Sequence, residues 1–284
     1  MTPEPQIHDP TPCELGEGPL WHPVREQLFW FDILRKQLLT REAGATRHWQ
    51  FDAHVSAAGW IDRDRLMIAS ERALLAFDLR DGTQQVIAPL DVESAQTRSN
   101  DGRADPMGGF WIGTMGKRAE PGAGAIWRWH RGEVRRLFAP LTIPNAICFT
   151  PDGRSACFAD TPARRILRVP LDRDGWPAGD PETFIDLRAD GLNPDGAVFD
   201  ASGHLWNAQW GASRVAVYDP DGGLVNACRL PVRNASCPAF GGAALDTLFI
   251  TTAREHLDDP GALDGATFAI PNLVRGQAEH QVTL

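Results

Sequence analysis

Two short apolar strands flanking a turn recur six times along the chain, and this repeat limits the fold more than any other feature. The second strands read "QLFWFD", "DRLMIAS", "GGFWIGT", "SACFADT", "GHLWNAQ" and "DTLFITT". Each follows a turn, such as "DPMGG" at 105–109, "TPDGR" at 150–154 or "DASGH" at 200–204. Before each turn lies another short strand: "GPLWH", "AAGWI", "DGRAD", "NAICF", "DGAVF" and "PAFGG". Strand, turn and strand in this order are antiparallel hairpins. Aligning the second strands and stepping back to the mouth of the first brings Glu17, Ser56, Asn100, Asn145, Asp195 and Pro238 into register. Their separations of 39, 44, 45, 50 and 43 residues match the length of one four-stranded propeller blade.

Further strands such as "ALLAFDL", "AIWRWH", "RILRVPL" and "RVAVYD" fill out each unit, and six units use all 284 residues. The expected fold is therefore all-β: a six-bladed β-propeller with four-stranded antiparallel blades, a single domain over 1–284 with no linker. Two β-sandwiches would also give short strands between turns, but they supply no reason for a regular repeat. The segment "PQIHDPT" ahead of the first unit can add an outer strand to the last blade, closing the ring and covering an open edge. Composition agrees, with 22 prolines and 27 glycines for turns and ten tryptophans for large strand residues.

A formal charge of −9 argues against a nucleic-acid partner, which calls for a basic face. No stretch approaches the roughly 18 apolar residues of a membrane helix. The first residues lack the basic and apolar regions of a signal peptide. Five scattered cysteines without a C-x-x-C pair form neither a zinc site nor a disulfide framework, so buried free thiols in a reducing cytoplasm are expected.

In a propeller the first strand of each blade lines the central channel, and equivalent residues at its mouth converge. Four of the six in-register residues, Glu17, Asn100, Asn145 and Asp195, carry a carboxylate or amide oxygen. Two carboxylates near a low-dielectric axis resist ionisation unless a cation neutralises them. Oxygen ligands suit one divalent ion, Ca2+, Zn2+, Mg2+ or Mn2+. Any one of these residues taken alone also fits an ordinary Asn-Gly or Asp-Gly turn.

These residues carry a family resemblance. The runs "LGEGPLWHP", "RSNDGRADPMGGFWIGTMG", "IPNAICFTPDG", "NPDGAVFDASGHLWNAQWG" and "CPAFGGAALDTLFITTA" make the chain similar, over nearly its full length, to the SMP-30/gluconolactonase (regucalcin) family of six-bladed propeller lactonases. The resemblance implies that Glu17, Asn145 and Asp195 hold a divalent metal and that Arg98 and Asn100 contact the substrate. The implied partner is a small-molecule sugar lactone. One position departs from the family pattern. Many members carry acidic residues soon after "GTM", whereas "GTMGKRAE" places Lys117 and Arg118 there. Cations at that point suit a carboxylate better than a hydroxyl, so the substrate is either an aldonolactone or, if this loop faces the site, an acidic sugar lactone; a loop pointing to solvent would make the two charges only a solvated rim.

For lactone hydrolysis Asp195 is the expected general base, able to take a proton from the attacking water while also serving as a ligand. Arg98 would orient hydroxyls or stabilise the developing oxyanion. Asp101 either completes the site or forms an Asp-Gly turn, with the turn favoured. His54 reads as a loop histidine, and the tryptophans of "FWIG" and "LWNAQW" as packing between blades. "DPDGG" at 219–223 is a turn, since it lacks the closing acidic residue of a calcium loop. No nucleophile elbow or phosphate loop is present. A promiscuous phosphotriesterase and a non-catalytic calcium-binding propeller are the alternatives.

Overall fold

The structure, a computed structural model, describes residues 3–284. The chain forms six four-stranded antiparallel sheets. Five are consecutive meanders, with innermost strands Gly16–His22, Val55–Trp60, Thr97–Ala104, Pro144–Phe149 and Asn193–Phe199. The sixth begins at Asn234–Gly241 and is completed by the N-terminal strand Gln6–Asp9, which pairs antiparallel with Thr267–Ile270. The outer strand expected from "PQIHDPT" is thus in place, and it ties the two ends of the chain into one blade. Each innermost strand packs on those of the neighbouring blades, and the last adjoins the first. The architecture is a six-bladed β-propeller. Among the described residues the only helical element is a single 3-10 turn, Thr161–Ala163, and no helix is long and apolar enough to cross a membrane.

The core is divided among the gaps between blades. Leu20, Phe29 and Phe31 of blade 1 pack with Val55, Ile68 and Phe77 of blade 2. Trp111 of blade 3 meets Phe149 of blade 4 edge-on, with ring centroids 5.5 Å apart, and Trp206 of blade 5 meets Phe240 of blade 6 in the same way at 5.4 Å. Trp21 stacks on Phe249 across the closing seam at 5.6 Å. These large flat side chains fill a wedge that widens outward, and burying each is worth roughly 1.5–3 kcal/mol. All five cysteines are free and buried.

A β-bulge breaks the register between the first and second strands of every blade. The shifts fall at Glu17/Leu20, Val55/Ala57, Ser99/Gly102, Asn145/Cys148, Pro194/Ala197 and Ala235/Cys237. A bulge leaves residues unpaired and re-aims their side chains. Repeated at one depth in six blades, it turns a ring of polar residues toward the axis. The sixth position is Ser236, which lies in the last bulge, and not Pro238, which is already back in the ladder opposite Ile250. The sequence alignment was two residues out there because bulges differ in length between blades.

At the opposite end of the inner strands, residues 271–284 cross beneath the ring. Glu279 reaches into the channel and forms a buried ion pair with Arg103. Trp60 Nε1 donates to the Glu279 carbonyl at 2.9 Å, and the Val282 and Thr283 amides donate to Trp60 and Gly108 carbonyls at 2.8 and 2.9 Å. The tail is thus stitched to blades 2 and 3 while its carboxylate plugs the channel. Removing one member of a buried pair strands the other charge in a dry site. Glu279→Gln is expected to cost about 3–5 kcal/mol of unfolding free energy in urea denaturation; a loss below about 1 kcal/mol, the worth of a surface pair, would show the plug to be dispensable.

Candidate metal centre and active site

The starts of the inner strands open into a cavity of about 240 Å³ lined by Glu17, Arg98, Asn100, Asn145 and Asp195, with Lys117 and Arg118 on its wall. All seven residues singled out from the sequence therefore meet in one place. Apolar Leu15, Met115, Ala119, Ile143 and Trp210 complete the lining, together with Thr161, Glu255 and His256. Ser56 instead uses its hydroxyl to bond Ser99 Oγ at 2.8 Å, and it stays outside the cavity.

Local backbone chemistry explains why Glu17 sits between glycines. A side chain at Gly16 would collide with the Thr252 carbonyl, and one at Gly18 with the Ser56 carbonyl of the next blade. Gly18 also has φ +53°, and its amide donates to Glu17 Oε2 at 2.9 Å. Ala146, directly after Asn145, takes the same left-handed conformation at φ +55° without a glycine's freedom. In blades 1 and 4 alike, a left-handed residue after the candidate ligand turns it toward the axis.

A chain of hydrogen bonds fixes the amides. Arg98 Nη1 donates to Asn100 Oδ1 at 2.8 Å, so the Asn100 nitrogen must point the other way, where it donates to the Pro144 carbonyl at 3.1 Å and to Asn145 Oδ1 at 2.9 Å. Asn145 Nδ2 donates to Thr161 Oγ1 at 2.9 Å, and Thr161 passes its own proton to the Pro194 carbonyl at 2.8 Å. Every member is satisfied in one sense only, from a pure donor at Arg98 to a pure acceptor at Pro194. Asn145 Oδ1 keeps a second lone pair for a cation.

The carboxyls are under strain. Burial, then the neighbouring Asp101 charge, pushes the Glu17 pKa up to about 8. Burial, then the charges of Glu17 and Asp101, raises Asp195 well above the usual carboxylate range. The Asp-Gly pair favoured a turn at Asp101, but the residue lies in the bulge of Thr97–Ala104 and is buried. Its Oδ2 accepts the Ile147 amide at 2.7 Å, tying blade 3 to blade 4. Burial raises its pKa to about 6. Sequence reasoning also missed Glu255, which follows the last inner hairpin, and the second role of Trp210, which packs against the apolar cluster between blades as expected and lines the cavity as well. Both residues stand at one repeat phase, at or just past the end of the second strand of a blade, where Lys117 and Thr161 of blades 3 and 4 also reach the cavity.

The residues present fit a divalent cation. Among the described residues no group of three or more His, Cys, Asp or Glu is arranged to hold a metal; the set here is two carboxylates completed by an amide oxygen. These are hard oxygen donors, and two buried carboxyls that repel each other gain most from a doubly charged partner.

The family profile of the SMP-30/Gluconolactonase/LRE-like region matches residues 15–254. The chain belongs to this family. A Rhizobium meliloti protein provisionally named as a sugar lactone lactonase is 41% identical over 273 residues, covering 94% of this chain and 92% of the relative. A Pseudomonas putida 6-deoxy-6-sulfogluconolactonase is 34% identical, with 94% of each chain covered. The crystal structure of a calcium-binding protein, regucalcin, from Agrobacterium tumefaciens superposes with a TM-score of 0.96 at 40% identity, covering 99% of this chain and 98% of that one.

The raised carboxyls give this SMP-30/gluconolactonase family member a defined pH response. The Glu17 pKa rises from 4.5 to about 8 on folding, so the folded protein keeps a proton that the unfolded chain releases. The stabilisation is full below about 4.5 and is lost as pH rises through about 8. A bound divalent ion favours the ionised form and opposes that loss. Scanning calorimetry of chelator-treated protein is expected to show Tm falling, relative to Glu17→Gln, as pH rises across this window. Added Ca2+ or Zn2+ should raise Tm most at its upper end. A cation-free wild-type Tm that stays level with, or rises against, that of Glu17→Gln across this window would contradict the assignment.

Proposed function

We propose that the chain is a sugar lactone lactonase that depends on one divalent metal ion held by Glu17, Asn145 and Asp195. The convergence of these residues with Arg98 and Asn100 in one cavity carries the reading. Family membership and the lactonase names of relatives support it. A divalent ion at this position supplies Lewis acidity toward a carbonyl oxygen and a charge that offsets the two carboxylates. The protein's own residues do the rest. Asp195 takes a proton from the water that attacks the lactone carbonyl. As the ring C–O bond breaks, Asp195 returns that proton to the leaving ring oxygen, and the product is the open-chain hydroxy acid. Arg98, held by Asn100, presents its remaining donors to the oxygen where negative charge develops. The apolar wall of Leu15, Met115, Ile143 and Trp210 limits water to the space the substrate leaves. A calcium-binding relative supports the divalent ion without deciding which ion this chain uses.

A panel of neutral and acidic lactones with a pH indicator, run with and without chelator, tests the reading. Ring opening that stops with chelator and returns with a divalent salt is expected; turnover indifferent to chelation would overturn the metal role. Asp195→Asn is expected to lower kcat by about 10²–10⁴-fold, the usual worth of a general base. The same variant should not lose stability when metal-free, because it removes a charge that repels Glu17.

A further inference from the structure

Resting on the lactonase reading, we propose that the substrate is a lactone with a carboxylate at the end remote from its lactone carbonyl, and that the Arg118 guanidinium receives this carboxylate. Lys117 and Arg118 both line the cavity, but the structure gives them different roles. Lys117 Nζ is bound to Glu71 Oε2 at 2.6 Å, and the other Glu71 oxygen meets His54 Nδ1 at 2.5 Å. The Lys117 charge is spent inside the protein, and His54, read from the sequence as a loop residue, is part of the same brace.

Arg118 is different. Among the described residues its guanidinium has no ion-pair or hydrogen-bond partner, while its backbone is held firmly. The Arg118 amide donates to Glu120 Oε2 at 3.0 Å, the Ala119 amide to the Gly116 carbonyl at 2.9 Å, and the Lys117 amide to the Gln96 carbonyl at 2.8 Å. A rigid turn thus carries a free planar cation on the cavity wall, the geometry that recognises a carboxylate through two parallel hydrogen bonds. Glu17 and Asp195 at the other pole make the floor hostile to a second carboxylate. Floor and wall together orient the substrate, with the lactone carbonyl toward Asp195 and the acid toward Arg118. A neutral sugar lactone would leave the guanidinium unused.

The test compares kcat/KM for D-glucaro-γ-lactone and D-glucono-γ-lactone, which share a ring and differ in a terminal carboxylate against a hydroxymethyl group. The wild-type protein is expected to favour the acidic lactone by about tenfold or more, the worth of one charge-assisted hydrogen-bonded contact. Arg118→Gln should lower that ratio by about tenfold, Arg118→Glu should lower it further, and Arg118→Lys should keep part of it. The charge-neutral double substitution Glu71→Gln/Lys117→Gln should shift the ratio by less than about twofold. Preference for the neutral lactone, or a ratio unmoved by Arg118→Gln, would overturn the carboxylate proposal and leave the lactonase reading standing. Turnover of neither lactone would overturn both.

Discussion

Glu17 and Asp195 come from blades 1 and 5 and meet on the lining of the cavity, buried enough that water screens them only weakly. Their carboxyls interact directly, and both titrate well above ordinary carboxylates. The bulges that aim them, the glycines that let the neighbouring blades approach and the amide chain from Arg98 to Pro194 all serve the same small volume. We propose a divalent ion as the partner that turns this costly juxtaposition into a favourable one, with Asp195 beside it as a base and Arg98 as the group that would meet developing charge.

The two ends of the channel use charge in opposite ways. At the far end, Arg103 and Glu279 form a buried pair beneath the tail, with Arg103 Nη2 also donating to the Ala197 and Pro238 carbonyls. At the mouth, the carboxyls are left without a matching cation from the chain, since Arg98 alone cannot balance them. One end is built to stay shut and hold the ring together, the other to accept something from outside. The Lys117–Glu71 brace and the free Arg118 repeat this contrast on the cavity wall.

Much of this was legible in the sequence because a propeller writes its geometry as a repeat. Hairpin spacing alone placed Glu17, Asn100, Asn145 and Asp195 in one ring, and "PQIHDPT" announced the strand that closes it. What the repeat could not carry was anything depending on distances across blades. Asp101 looks like a turn residue until the bulge buries it against the Ile147 amide. Pro238 stood in for Ser236 because bulge length is invisible in the alignment of strands. Lys117 and Arg118 are adjacent and chemically alike in sequence; only Glu71, 46 residues upstream of Lys117, separates their roles. Glu255 enters just after the second strand of blade 6, the phase that Lys117 and Thr161 hold in blades 3 and 4, where the side chains differ too much for the repeat to show.

Elemental analysis of the purified protein, by inductively coupled plasma mass spectrometry after exhaustive dialysis against a divalent salt and then metal-free buffer, addresses the centre of this account. One divalent ion per chain is predicted for the wild type, and none for the folded Glu17→Gln/Asp195→Asn protein. A wild type without metal, or a double variant that keeps its ion, would contradict it.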